Sequence, residues 1–484
     1  MTVVDRRTAM RGMGAAMAAV LARPRPGWAA APAISPVMAT LSAYMHGARH
    51  RALPAEVIEK AKHHILDTFA AMISGSELPP GQVALAFAKT YSDRIATVAG
   101  SRLLCGPIEA AFVNAMLAHA DETDDSHAPS QSHPGCAVVP AALAAGEQFG
   151  IDGATFVRAV TLGYDVGTRV TMTLGVPGFE TATHVSTHAL ASLFGAAAAA
   201  ACAAGLTEQQ MRWVLDYAVQ QASGSKLWQR DTDHIEKAFV FAASGARGGV
   251  MAAELVRLGA TGVDDVFSGE NNFVAASAPK AQPEQLIERL GERYEIVRTN
   301  IKRWTVGSPI QAPLDALELI FKRQTFAADA VTQVTVRCAT SEAALVDNRD
   351  MPDICMQHMI AVMLIDKTAS FRAAHDKPRM QDPLVLRQRA KVRLVRDEEL
   401  ERHLPRREAI VDVMLADGTT LTERVDAVRG TAENPMPRAE VVAKCQDLIA
   451  PVLGASTATK LVEQVLRLEA VNDLRTLRPL LQKT

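Results

Sequence analysis

Between His119 and His133, fifteen residues hold four acids (Asp121, Glu122, Asp124, Asp125) and three histidines (His119, His127, His133), within the run A-H-A-D-E-T-D-D-S-H-A-P-S-Q-S-H-P-G-C-A-V-V-P from Ala118 to Pro140. Carboxylates crowded into a partly buried loop repel one another, and desolvation raises the proton affinity of some of them; a nearby imidazole then has a partner for proton exchange. That combination points to general acid–base chemistry, with His133 expected to be functional and a cap or turn role as its alternative. Metal binding is the rival reading, since Asp and His are both ligands, but no H-E-x-x-H, facial-triad or EF-hand spacing occurs, so no metal is expected. A solvated helix end, with Asp125 or Ser126 as turn formers, is the structural alternative.

Three further stretches carry candidate chemistry. His184-Val185-Ser186-Thr187-His188 precedes an Ala-rich run; Ser186 and Thr187 are potential N-caps, and a helix start facing the site would offer partial positive charge to a carboxylate, beside His188. Between Gln221 and Gly249, cations recur among glycines: Lys226, Arg230, Lys237 and Arg247 are candidates to bind a di- or tricarboxylate, each with a surface ion pair as the alternative. Asn300 to Pro313 (N-I-K-R-W-T-V-G-S-P-I-Q-A-P) sets Lys302 beside Trp304 and a Gly-Ser-Pro turn, suited to a loop at a domain junction, where pockets favour forming. No Walker loop, no G-x-G-x-x-G after a strand and no G-x-S-x-G is present, so neither a nucleotide, another cofactor nor a covalent intermediate is expected.

The elements that must position these residues are mostly helical. Pro54–Lys62 opens a helix with Ile58, Ala61, Ile65, Leu66 and Phe69 on one face. Pro79-Pro80-Gly81 reads as a break before a short helix from Gln82 to Tyr91. Pro107–Ala120 runs into the acidic loop, and Ala137–Phe149, Asp152–Thr173 and Ala189–Ala204 follow, with Thr207 and Gln210 forming a capping pair for the next helix. The pattern changes near Ala278. Val331–Cys338 and Lys391–Val395 alternate with period two, and Ala409–Leu415 and Thr420–Val425 flank Asp417-Gly418 as a hairpin. Helices are expected between them at Pro313–Arg323 and Gln357–Ile365. Residues 34–278 therefore read as an all-α domain, 279–430 as a smaller α+β domain, and 431–484 as helices returning to the first.

The chain has 484 residues, 48% hydrophobic and 21% charged, with net charge −2. This is the balance of a globular protein, with no global field for nucleic acid or an anionic membrane. No stretch reads as transmembrane. Six cysteines without a C-x-x-C pair read as free buried thiols. Residues 1–33 carry Arg6-Arg7, a short apolar run from Gly12 to Ala22 and Ala31-Pro32-Ala33, an A-x-A site. They predict a twin-arginine export signal and a periplasmic location; a basic tail on a cytoplasmic enzyme is the alternative.

Taken together, A-H-A-D-E-T-D-D-S-H with S-H-P-G, H-I-E-K-A-F-V-F-A-A-S-G-A-R-G-G, I-K-R-W-T-V-G-S-P-I-Q-A-P-L-D-A-L and D-I-C-M-Q-H-M-I-A-V-M-L resemble the MmgE/PrpD family from about Ile34 to the C-terminus. The resemblance implies a large helical domain with a smaller α+β lid, a homodimer, and a site between the two domains. It implies a cofactor-independent lyase of the 2-methylcitrate dehydratase type, acting on a small di- or tricarboxylate by taking a proton next to a carboxylate. A decarboxylase, an epimerase or a non-catalytic carboxylate binder are the other readings. Residue by residue, Glu122 stands at the family's first Asp, Asp124-Asp125 at its Asp-Asp pair, Ser126 at its Thr and His133 at its catalytic His. Lys302 matches a family Lys, Arg247 falls near a basic site residue, and His358 lies near a position often held by Tyr in the lid. Gln311 stands where the family places a His, and an amide cannot transfer a proton as imidazole does.

Overall fold

The computed structural model describes residues 34–91, 95–176, 178–278 and 281–483; the expected export signal at 1–33 lies outside the described residues. The chain is mainly α-helical. Its centre is a group of apolar helices, Pro107–Ala118, Gly135–Phe149, Gly153–Thr173, Thr187–Ala204 and Ser244–Arg257, packed on one another. Small residues set how closely they approach. A Cβ on Gly167 would lie 2.3 Å from the Ala191 carbonyl oxygen, and one on Gly249 would lie 2.4 Å from the Ala197 nitrogen, so these crossings require glycine. The helices Thr187–Ala204 and Ile235–Arg257 are long and apolar enough to cross a bilayer, which the sequence reading did not anticipate; 89% and 67% of their apolar windows are buried within the fold.

Local signals explain the boundaries. Asp152 caps Gly153–Thr173 by accepting from Thr155 N at 2.7 Å, and Thr207 with Gln210 forms the expected capping box. Pro79-Pro80-Gly81 is the first turn of the helix Pro79–Ala88, not a break. Proline is tolerated there because first-turn N–H groups have no helical partner. For the same reason the helix expected from Pro313 starts at Ser308 and accommodates Pro309 at its first turn.

Two short strands, β1 (Ala96–Thr97) and β2 (Leu104–Cys105), pair just before the helix that leads into the acidic loop. The main sheet has β3 (Val331–Ala339), β4 (Val392–Asp397), β5 (Ala409–Leu415) and β6 (Thr420–Val425) in the order β4-β3-β5-β6. β4 is parallel to β3, and the others are antiparallel, with Val334 opposite Val392 and Val413. Val334, Val336, Val411 and Val413 point into one core with the helices Ser308–Arg323 and Met356–Asp366. The helix Arg438–Leu453 returns to pack on Ala55–Gly75, where Lys444 pairs with Asp67 at 2.6 Å.

Candidate active site

The acidic loop is buried, which rules out the solvated helix end. Asp121, Glu122, Asp124 and Asp125 are all 4% exposed or less. Burying four carboxylates in sequence demands a partner for each, and the fold sends them in different directions.

Asp121 accepts from Thr123 N at 3.0 Å and lies 2.8 Å from His375 Nε2. Glu122 holds two ammonium groups: Lys237 on Oε1 and Lys302 on Oε2, the latter at 3.1 Å. Asp124 Oδ2 pairs with His119 Nδ1 at 2.9 Å, while Oδ1 lies 3.3 Å from His133 Nδ1 and 3.6 Å from Lys302 Nζ. Asp125 accepts from Gly135 N at 3.0 Å and Tyr164 Oη at 2.5 Å, and meets His64 Nδ1 at 2.9 Å. With its lone pairs committed, Asp125 braces the His133-Pro134-Gly135 turn from behind and does not face the cavity; the expectation that it acts in catalysis is corrected.

Lys302 reaches the loop through backbone pairing. Ser126 and Asn300 exchange hydrogen bonds at 3.0 and 2.8 Å, and Ile301 N donates to Gly430 O at 3.0 Å. Any side chain on Gly430, whose φ is +100°, would collide with the Ile301 carbonyl. Ser126 thus contributes its backbone to an antiparallel bridge. Lys237 comes from the short helix Ile235–Ala238, which continues into a π-helical turn, Phe239–Ala243. Such a turn inserts an extra residue and re-aims side chains, often at functional sites. Here it presents Phe241, on whose ring His188 stacks at 3.8 Å and His119 at 4.7 Å.

Glu122, His133, His188, Trp228, Lys237 and Phe241, together with Ser308, Val346, Arg349, Met351, Ile354 and Arg407 from later in the chain, line a cavity of about 140 Å³. Burial, with Lys302 and His119 nearby, outweighs Asp124 and lowers the proton affinity of His133, so its imidazole is neutral near pH 7. With Nδ1 directed at Asp124, Nε2 is left to the cavity. His188 is pushed well below its ordinary value by burial, then by His133 and Lys237. Burial alone would raise Glu122 and Asp124, but the ammonium groups and imidazoles around them hold both well below the usual carboxylate range. Burial would strip Lys302 of its proton, yet Glu122 and Asp124 raise its affinity and keep it cationic.

His119, Asp124 and His133, or His119, Glu122 and His234, come close enough to share a metal ion. Lys237 and Lys302 already occupy the same carboxylates, and their positive charge opposes a divalent cation there; the donor set suits proton transfer better.

Three expected site residues lie elsewhere. Arg247 is exposed on Ser244–Arg257 because Gly245, Gly248 and Gly249 form the face packed on the neighbouring helix. His358 is fully buried on the helix Met356–Asp366 in the α+β part, and burial followed by Arg389 pushes it down to about 4, a neutral core imidazole. Gln311 is committed to the backbone: its Oε1 accepts from Trp304 N at 3.1 Å, and its Nε2 donates to Trp304 O at 2.7 Å and Val306 O at 2.9 Å. It fixes the loop carrying Lys302 instead of replacing a proton donor. The residues not foreseen, among them Trp228, Arg349, Arg407 and His375, come from segments far from the loop, and no local spacing marks them.

A larger cavity of about 320 Å³ lies beyond Lys302, lined by Arg298, Arg406, Arg407 and Arg429 among others. Each of these guanidinium groups is already paired, with Glu295, Glu408, Glu342 and Glu440 respectively.

Residues 39–286 match the MmgE/PrpD N-terminal domain and residues 304–470 the MmgE/PrpD C-terminal domain. The chain is 25% identical over 468 residues to a cis-aconitate decarboxylase of Aspergillus terreus (strain NIH 2624 / FGSC A1156), covering 89% of this chain and 92% of that one. It is 25% identical over 464 residues to the cis-aconitate decarboxylase of Homo sapiens, covering 90% and 93%. With the cis-aconitate decarboxylase-like protein oryM of Aspergillus oryzae it shares 26% identity over 287 residues, 55% of this chain and 58% of that protein. The two matched domains span most of the sequence, and the chain belongs to the MmgE/PrpD family.

Proposed function

We propose that this chain is a cofactor-independent lyase acting on a small di- or tricarboxylate, with proton abstraction next to a carboxylate as its first step. The observation that carries this reading is the neutral His133, whose Nδ1 lies 3.3 Å from Asp124 Oδ1 and which lines one cavity together with Lys237. A neutral imidazole is a base, ready to take a proton. The enolate-like charge that develops is stabilised by the Lys237 ammonium, with Lys302 holding Glu122 and Asp124 in place behind it. In a dehydratase a hydroxide then leaves, taking a proton from Lys237 or from protonated His133. His188 and Trp228 complete the wall against the substrate.

Decarboxylation is the second reading, favoured by the names of the relatives. The same groups serve it in the opposite sense: CO2 leaves first and a protonated His133 delivers a proton to carbon. Near neutral pH the resting form of His133 is the neutral imidazole, so it starts as a proton acceptor, whereas delivery requires it to be protonated first. A homodimer and export by the twin-arginine route belong to the same proposal, tested by sedimentation and by sequencing the mature N-terminus.

The deciding experiment incubates the protein in D2O with citrate, 2-methylcitrate and cis-aconitate. Deuterium uptake with loss of water supports the dehydratase, uptake without elimination an epimerase, and CO2 release the decarboxylase. No uptake and no turnover with any of them sinks the lyase reading and leaves a carboxylate binder.

A further inference from the structure

The catalytic cavity is electrically balanced before any substrate enters. Lys237 and Lys302 face Glu122 and Asp124, so two ammonium groups meet two carboxylates at contact distance. His133 and His188 add no charge when neutral. A di- or tricarboxylate entering this buried space brings charge that the floor of the site does not fully offset, and an uncompensated buried anion is costly. A further cation is needed on the wall.

Two guanidinium groups line that wall, both from the α+β part of the chain. Arg407 is committed to the buried Glu342 at 2.7 Å. Arg349 is not: among the described residues its side chain makes only a long hydrogen bond, 3.4 Å from Nη2 to the carbonyl of Gln229, and has no carboxylate within ion-pair distance. It stands between the catalytic cavity and an outer polar cavity that also holds Arg230, Asp231 and Asp350. Asp231 is occupied with the backbone N–H groups of Asp233 and Lys237. The backbone holds Arg349 in place. The preceding Asn348 adopts a left-handed φ of +47°, its N–H donates to Gln357 Oε1 at 2.9 Å, and Gln357 Nε2 donates to Asp347 Oδ1 at 2.7 Å. The side chain is anchored at its base and uncommitted at its tip, the arrangement a recognition group requires.

We propose that Arg349 is a specificity-determining residue, binding the substrate carboxylate farthest from the carbon that His133 deprotonates and so selecting tricarboxylates over dicarboxylates. This rests on the lyase reading above. The planar guanidinium pairs with a carboxylate in two parallel hydrogen bonds, which a lysine cannot reproduce. Its bond to Gln229 is weak enough to be exchanged for that pairing.

The test is calorimetric titration of the full chain with two inert probes, tricarballylate and succinate, on the wild type, Arg349→Gln, Arg349→Lys and Arg230→Gln, with D2O exchange on citrate and cis-aconitate alongside. Arg349→Gln is expected to weaken tricarballylate binding by about tenfold or more while changing succinate by less than about twofold, the scale of one charge-assisted pair. Arg349→Lys falls between, and Arg230→Gln, which lines only the outer cavity, leaves both near wild type. In turnover the loss appears in KM with kcat largely kept. Equal weakening of both probes, or none, overturns the assignment of Arg349 even if the wild type exchanges deuterium. If the wild type binds neither probe and exchanges nothing, the lyase reading falls and this one with it.

Discussion

Lys302 and Glu122, 180 positions apart, are joined twice: Lys302 Nζ donates to the Glu122 backbone oxygen at 3.0 Å and to its Oε2 at 3.1 Å. The first bond fixes where the acidic loop turns, and the second fixes its charge. Lys237 completes the pairing on Oε1. Glu122→Gln would leave two buried ammonium groups facing an amide. Breaking a buried ion pair from one side costs about 3–5 kcal/mol. The variant is expected to show that loss in a urea unfolding curve, and near-zero loss there would mean the cluster relaxes freely.

Asp124 acts on His133 in a direction that can be read from a pH profile. Its charge raises the proton affinity of His133, while burial and Lys302 lower it, and the net result is below the ordinary imidazole value. The rate of deuterium exchange should therefore stay level around neutrality and fall in acid, with its midpoint below about 6.5. Asp124→Asn should move that midpoint to still lower pH. His133→Gln should reduce exchange by about 10²–10⁴-fold, the usual worth of a general base; full retention would remove His133 from the mechanism.

His375 ties the α+β part to the acidic loop through Asp121, with Asp353 also facing it. Burial would lower its proton affinity, but Asp121 and Asp353 raise it from about 6.5 to about 9. A group whose affinity is raised on folding stabilises the fold fully below its unfolded value and loses that contribution as pH rises through the folded one. Thermal unfolding from pH 6 to 10 should show a decline in Tm between about 6.5 and 9. His375→Gln should be less stable at pH 6 and should flatten that part of the profile. A parallel, merely shifted curve would assign the slope to other groups.

Gln311 saturates three backbone groups of the Lys302 loop. Gln311→Ala leaves a buried N–H and two carbonyl groups unpaired, at about 1–3 kcal/mol for each such group. A lowered Tm accompanied by weaker tricarballylate binding is the expected pair of results. A lowered Tm with unchanged binding would restrict Gln311 to stability.

The sequence shows the acidic loop plainly, because four acids and three imidazoles in one run have few structural uses. It also shows the helices and the β5–β6 hairpin, whose cues are local: caps, prolines, period-two alternation and Asp417-Gly418. It does not show which acid does what. Asp124 and Asp125 are neighbours with opposite fates, one facing His133 and the other buttressed by His64 and Tyr164, and that choice is made by helices packed from elsewhere. Arg247 lies outside the site for a related reason. Glycines flank it, yet they mark the packed face of the helix, and a residue roughly 100° around the axis points to solvent. Arg349 carries no motif at all; its placement depends on Asn348 and on Gln357, the neighbour of the residue in that helix to which the sequence drew attention.

Lys444 donates to Thr123 O at 3.0 Å, across 321 positions, while pairing with Asp67. The peptide between Glu122 and Asp124 is thus held by a side chain that emerges from the ribosome long after the loop itself. A nascent chain, or one clipped before the helix Arg438–Leu453, carries every acid and histidine of the centre without the clasp that sets them. The geometry of the acidic loop therefore depends on a helix more than three hundred positions downstream, and removing that helix would take away the clasp while leaving every acid and histidine of the loop in the chain.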